Sequence, residues 1–261
     1  MNHAAVNQAA SILWQNWSDG TRIDALPPAC RPTDREAAYA VQAALGALSG
    51  QGVFGWKIAA TSRAGQQHIG VDGPLAGRLL SRRVFESGAN VALGGNIMRV
   101  AEAEFAFCMG TSLPPRGAPY GVDEVMQAVR ALHCAIEIPD SRYRDFARVG
   151  AAQLIADNAC ACWFVLGPEA RIDWRELDLV EHRVVARCNG AVVREGKGAN
   201  VLGDPRIALT WIANELCHHD NGLRAGELIT TGTCIIPVEI SAGDHVVADF
   251  GDLGQAEARL V

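Results

Sequence analysis

The sequence has no apolar run near the ~20 residues needed to cross a bilayer. Its N-terminus, MNHAAVNQAASILWQNW, has no basic region ahead of an apolar core, so no export signal is expected and the chain reads as cytoplasmic. Clustered Lys and Arg are also missing: 23 basic residues face 29 acidic ones, a net charge of −6, which excludes a phosphate-reading surface and nucleic acid as a partner. There is no C-x-x-C pair. Eight cysteines are present, but the one close pair, Cys160 and Cys162, is spaced C-x-C and nothing completes a zinc site. Without an export signal the cysteines read as reduced, buried hydrophobes. No linker, internal repeat or charge block divides residues 1–261, so one domain is expected. A hydrophobic content of 49% with 20% charged residues is enough for a full globular core.

What is there begins with helix. Thr33-Asp34-Arg35-Glu36 fits a capping box with Thr33 as the cap, and Ala37, Ala38, Val41, Ala44, Leu45 and Leu48 follow at helical spacing until Gly50. From Val53 the period changes to strand-like runs: GVFGWKIAATS, NIMRVAEAEFAFCMG, CAIEIPD and ACACWFVLG. Asp123 to His133 reads as one amphipathic helix between the second and third of these. Asn189-Gly190 is a hairpin turn. Asp204-Pro205 caps a helix running to about His219, ended by Gly222. The plan is α+β, with a helical part over residues 1–52 and a β-rich core, antiparallel or mixed, over 53–261.

The chemistry concentrates in Val100–Phe107. On a strand, Glu102 and Glu104 share a face with Val100 and Ala106, while Ala101, Ala103, Phe105 and Phe107 make the other face wholly apolar. Two like charges ~7 Å apart among apolar neighbours are costly unless a cation lies between them. The competing reading is a pair of surface glutamates on an edge strand. Glu137, in Ala135-Ile136-Glu137-Ile138-Pro139, is embedded in the same way; it is either a third ligand or a buried acid paired with Arg142. Three carboxylates without His or Cys form a hard, all-oxygen set that suits Mg²⁺ or Mn²⁺. Lys57, between Trp56 and Ile58, is either a stem lying on apolar surface or a buried cation able to hold a substrate carboxylate or protonate an enolate.

Other features are weaker. Gly196-Lys197-Gly198 lacks P-loop spacing and reads as a turn. His218-His219 suits a helix C-terminus. Cys160 has no histidine in a partnering motif and reads as lining a pocket, not as a nucleophile.

Taken in order, GWKIAATS, QQHIGVDGP, AEAEFAF, AIEIPDSRY, IADNAC, NVLGDPRIALTWIAN and GELITTGT resemble the 2-keto-4-pentenoate hydratase and 2-oxo-3-hexenedioate decarboxylase group of the fumarylacetoacetate hydrolase superfamily, from about Thr33 to the C-terminus. The resemblance implies a rolled mixed β-sheet core after N-terminal helices, of the type of that superfamily's C-terminal domain. It places Glu102, Glu104 and Glu137 as ligands of Mg²⁺ or Mn²⁺, Lys57 as the catalytic lysine, and Cys160, Arg142 and Thr233 around the substrate. The implied substrate is a small 2-oxo acid whose enolate the metal stabilises. The implied reaction is hydration of 2-hydroxypenta-2,4-dienoate to 4-hydroxy-2-oxopentanoate. Decarboxylation of a 2-oxo-3-hexenedioate-type acid is the alternative, and C–C bond hydrolysis comes third. A homo-oligomer is implied, with association with another enzyme of the same pathway as a further option. The non-enzyme alternative is a catalytically idle partner subunit, against which three apolar-embedded glutamates and Lys57 argue. One position departs from the group: Pro74-Leu75-Ala76-Gly77 has no carboxylate where many hydratases have one.

Overall fold

The computed structural model describes all 261 residues and opens with two helices, α1 (His3–Asp19) and α2 (Arg35–Leu48). The cap of α2 is Asp34, not Thr33. The Asp34 carboxylate accepts a bond from the Ala37 amide at 2.8 Å, and the helix starts one residue later than the capping box requires. Aspartate wins because its charged oxygen both reaches that amide and suits the positive helix terminus. The two helices bury Leu13, Trp17, Val41 and Leu45 together with Leu80 and Tyr143.

The chain continues through β1 (Val53–Ala59), α3 (Arg63–Ile69), β2 (Leu75–Leu80), β3 (Val84–Glu86), β4 (Ala89–Val91) and β5 (Val100–Met109). Next come α4 (Val122–Gln127), β6 (Val129–Ile138), α5 (Ala151–Ala156) and β7 (Trp163–Glu169). The last third is β8 (Arg183–Cys188), β9 (Ala191–Lys197), α6 (Pro205–His219), β10 (Leu228–Thr233), β11 (Val238–Glu239), β12 (His245–Asp249) and β13 (Gln255–Leu260).

These strands make an α+β fold of two mixed sheets. The larger runs β2-β1-β10-β5-β6-β7-β3, with β11 also paired to β5; the smaller runs β4-β13-β12-β8-β9. Phe105 and Phe107 of β5 share one core with Val246, Ala248, Ala256 and Ala258 of the smaller sheet. β5 therefore lies in the interior of the larger sheet, and the edge-strand reading of its glutamates fails. The Asn189-Gly190 turn joins β8 to β9, with φ of 52° and 84° at its two residues, as a type I′ hairpin requires.

Two expected boundaries move. Helix α4 covers only Val122–Gln127, and Val129–His133 belongs to β6, because pairing along β5 from Met109 to Ala106 captures those residues for the sheet. Tertiary pairing overrides the local helical period. Strand β7 likewise begins at Trp163, leaving Cys160 and Cys162 in the preceding turn. All eight cysteines are free thiols, and no helix is long and apolar enough to cross a membrane.

That turn is held by a buried ion pair. Arg142, 1% exposed, pairs through Nε with Asp157 and donates to the carbonyls of Asp140 at 2.9 Å, Ala161 at 3.1 Å and Asp157. The other Asp157 oxygen accepts bonds from the Ser141 hydroxyl at 2.7 Å and the Arg142 amide at 3.0 Å. The guanidinium also lies over the Trp17 ring, 4.1 Å from its centroid, and so anchors α1. Arg142 is thus the partner of Asp157, and the alternative in which it pairs with Glu137 fails. Removing one member leaves an uncompensated buried charge, so Asp157→Ala is expected to cost about 3–5 kcal/mol of folding stability. Urea unfolding measures this; a loss under about 1 kcal/mol would class the pair with ordinary surface bridges.

Candidate metal centre

Four neighbouring strands, β1, β10, β5 and β6, bring the ionisable residues to one face of the larger sheet. Glu102 on β5 lies directly opposite Glu137 on β6, and Glu104 lies opposite Ala135. Opposed residues share a face with Cβ atoms about 4.5–5.5 Å apart, close enough for two carboxylates to repel strongly. Carboxylate oxygens of Glu102, Glu104 and Glu137 all come within 4.8 Å of one another. Lys57 on β1 completes the group: its Nζ is 3.0 Å from Glu137 Oε1 and donates to the Ala159 carbonyl at 3.0 Å.

Electrostatics records the strain. Glu104 and Glu137 are fully buried, and Glu102 is partly open to the cavity above. Burial, then the Glu137 charge, pushes the Glu102 carboxyl up to about 7. Burial with the Glu137 and Glu102 charges holds Glu104 well above the usual carboxylate range, and burial also raises Glu137. For Lys57, burial opposes the ammonium, but the charges of Glu137, Glu102 and Glu104 outweigh it and keep the pKa above its ordinary value. The alternative of a solvated stem is excluded, since Lys57 is buried.

One Glu104 oxygen is satisfied by the Thr230 hydroxyl and by the Gly232 amide at 3.0 Å. The other Glu104 oxygen and Glu137 Oε2 have no hydrogen-bond partner, and Glu137 Oε1 has only the Lys57 ammonium. Buried carboxylate oxygens are rarely left this way. Three clustered carboxylates with oxygens left over fit a divalent cation such as Mg²⁺ or Mn²⁺.

The cavity over this floor has a volume of 310 Å³ and is lined by 20 residues, among them Lys57, Glu102, Cys160 and Thr233. Thr233 is the residue of β10 paired with Glu104. The Cys160 thiol is driven up to about 12 by burial and by the Asp157 charge, which leaves it protonated and unsuited to attack as a nucleophile. Arg142 is not among the lining residues; it reaches the site only through the turn it holds.

Sequence reasoning missed that turn. Asn158, Ala159 and Cys160 are three successive non-glycine residues in the left-handed region, with φ of 56°, 49° and 61°. Such residues cost of order 1–3 kcal/mol each and persist only where the surroundings hold them. Here the Asn158 side chain acts as a false strand along β2, accepting from the Arg78 amide at 2.7 Å and donating to its carbonyl at 2.8 Å. Gly77, paired with Lys57 across β1 and β2, makes this approach possible: a Cβ there would stand 2.3 Å from the Asn158 carbonyl oxygen. The result aims the Ala159 carbonyl at Lys57. The Asp157-Asn158 dipeptide was the available signal, since Asn tolerates this conformation better than most residues.

Residues 81–261 match the family model of the fumarylacetoacetate (FAA) hydrolase C-terminal domain. A 2-keto-4-pentenoate hydratase of Burkholderia vietnamiensis (strain G4) is 30% identical over 259 residues, 98% of this chain and 97% of that protein. A 4-oxalocrotonate decarboxylase of Pseudomonas sp. (strain CF600) is 31% identical over 212 residues, covering 81% of this chain and 79% of the relative. The solved 4-oxalocrotonate decarboxylase of Pseudomonas putida G7, complexed with magnesium and adipate, superposes with a TM-score of 0.90 over 100% of this chain and 99% of that one, at 27% identity. By its matched domain, its full-length relatives and its fold, the chain belongs to the fumarylacetoacetate hydrolase family.

Proposed function

We propose that this protein is a divalent-metal-dependent lyase that hydrates an unsaturated 2-oxo or 2-hydroxydienoic acid. The observation that carries the reading is the floor of the cavity: three carboxylates within 4.8 Å of one another, with orphaned oxygens, beside a buried lysine. Relatives named as hydratases along nearly the whole chain support the reaction type. Glu102, Glu104 and Glu137 would hold Mg²⁺ or Mn²⁺. A cation there supplies Lewis-acid polarisation of the oxygen atoms it binds.

The protein's own groups do the rest. Lys57 is cationic and desolvated, so it can neutralise the substrate carboxylate or deliver a proton to carbon, and its bond to the Ala159 carbonyl fixes where the ammonium points. In the net reaction O2 gives up its proton, C3 and C5 each gain one, and the hydroxyl of water joins C4. Thr233 and Cys160 line the same cavity and would shape the substrate's seat. Decarboxylation is the second reading, and Leu75 favours it: the residue is fully buried on the cavity wall, where it cannot activate water.

Metal binding should show itself in pH. Glu102, raised to about 7, keeps its proton in the folded protein at pH values where the unfolded chain, with a carboxylate pKa of about 4.3, has lost it. The metal-free protein therefore loses stability as pH rises from about 4.3 through about 7, and a cation that needs the ionised ligands binds better over the same range. The rise in Tm on adding Mg²⁺ is expected to be larger at about pH 8 than at about pH 5.5 and to vanish in Glu102→Gln. A pH-independent shift, or none, removes the metal reading.

Lys57→Ala is expected to lose at least ~100-fold in rate while metal affinity holds or rises, since a neighbouring cation has gone. Steady-state kinetics beside metal titration checks this; a near-normal rate would make Lys57 purely structural.

Leu75 separates the two reactions. Deuterium exchange at C3 of 2-oxopentanoate needs only proton removal, whereas hydration also needs activated water. Leu75→Asp is therefore expected to raise the ratio of hydration to exchange by about 10-fold, short of the ~100-fold or more of a fully positioned acid–base group. An unchanged ratio in a folded variant would show that this wall takes no part in activating water.

A further inference from the structure

The cavity has a charged floor and uncharged walls. Twelve of its 20 lining residues are hydrophobic, among them Ile69, Leu75, Met98, Phe146, Leu154 and Ile236. No arginine lines it. Its single lysine is Lys57, already engaged by Glu137 and by the Ala159 carbonyl. Away from the floor, His68 is the one ionisable group besides the protonated Cys160 thiol. Arg63 borders an adjoining open groove, where Glu195 also stands, and does not line the cavity. The 310 Å³ volume lies at the lower end of the range of about 300–1,000 Å³ that takes drug-sized ligands, which is more room than a five-carbon acid uses.

We infer that the substrate of this site is a 2-oxo acid longer than five carbons whose far end is uncharged and apolar, and that the walls select against a second carboxylate, which counts against the decarboxylation reading, whose substrate carries one. The inference rests on the proposed 2-oxo-acid reading of the floor. Each methylene of an apolar tail gains by leaving water for Phe146, Leu154 or Met98. A terminal carboxylate would lose water against these side chains with no lysine or arginine to meet it, His68 being the one group there able to carry charge, and a poorly paired charge is costlier than a missing apolar contact.

Isothermal titration of the Mg²⁺-loaded protein with three probes tests this. 2-Oxooctanoate is expected to bind at least ~10-fold more tightly than 2-oxopentanoate, a modest return for three more methylenes. It is expected to bind at least ~30-fold more tightly than 2-oxooctanedioate, which differs only in its terminal carboxylate. Ile236→Arg adds a fixed cation at a lining residue that is 71% exposed, where folding is not at risk, and should narrow that second ratio by about 10-fold. Equal or tighter binding of 2-oxooctanedioate to the unaltered protein overturns the inference and leaves the 2-oxo-acid reading standing, because both ligands share the head group. Absence of metal-dependent binding by all three probes overturns both.

Discussion

The rest of this molecule is arranged around the repulsion between Glu102 and Glu137. The register between β5 and β6 sets these two carboxylates directly opposite one another, and Glu104 follows two residues along the same face. A sheet does not place like charges opposite each other among apolar residues without a compensating device. Three devices are visible. Lys57 supplies one positive charge from β1, Thr230 and the Gly232 amide satisfy one oxygen of Glu104, and the raised carboxyl pKa values express what remains as a tendency to keep a proton. One ammonium cannot neutralise three carboxylates, so the residual charge is the thermodynamic source of the affinity proposed for a divalent cation.

The same repulsion explains why the neighbouring backbone is strained. Lys57 is useful only if its ammonium stays at the floor, and a lysine side chain has much rotamer freedom to lose. The Ala159 carbonyl fixes it at 3.0 Å, but only because residues 158–160 are turned into the left-handed region. That turn is in turn imposed by Arg142 and Asp157 on one side and by Asn158 bonded along β2 on the other. Arg142 therefore supports the site without touching it. The order of dependence runs from buried ion pair to strained turn, from turn to carbonyl, and from carbonyl to ammonium.

The sequence made the floor legible because strand periodicity is short-range. A carboxylate every second residue opposite an unbroken apolar face can be read from Val100–Phe107 alone, and Glu137 stands out in its run for the same reason. The helices at residues 35–48 and 205–219 were legible from their caps, to within one residue at Asp34. What could not be read were decisions made by distant pairing. Val129–His133 has helical spacing but is captured by β5, and Arg142 is nearer to Glu137 in sequence than Lys57 is, yet Lys57 arrives by way of β10. The walls of the cavity were invisible for the same cause: they gather α3, β2, the turn before α5 and the segment after β10, none of which is patterned to announce a shared surface.

This division between floor and walls bears on how one family site serves several reactions. On the proposed function the floor would activate the head of a substrate, its carboxylate and 2-oxo group, with residues held on interior strands of the larger sheet. The walls would meet the part of the substrate at which reactions diverge, and they are built from a short helix, a turn and strand ends, which can change with little effect on the fold. Leu75 illustrates the point. It pairs with Ala59 at the end of β1, two residues beyond Lys57, so its side chain looks into the cavity from the same face as the lysine. An acid there could hand a proton to or from water at the substrate's far carbon; a leucine can only exclude water. On this reading the choice between adding water and letting carbon dioxide leave falls to the walls, and the carboxylate floor would suit either.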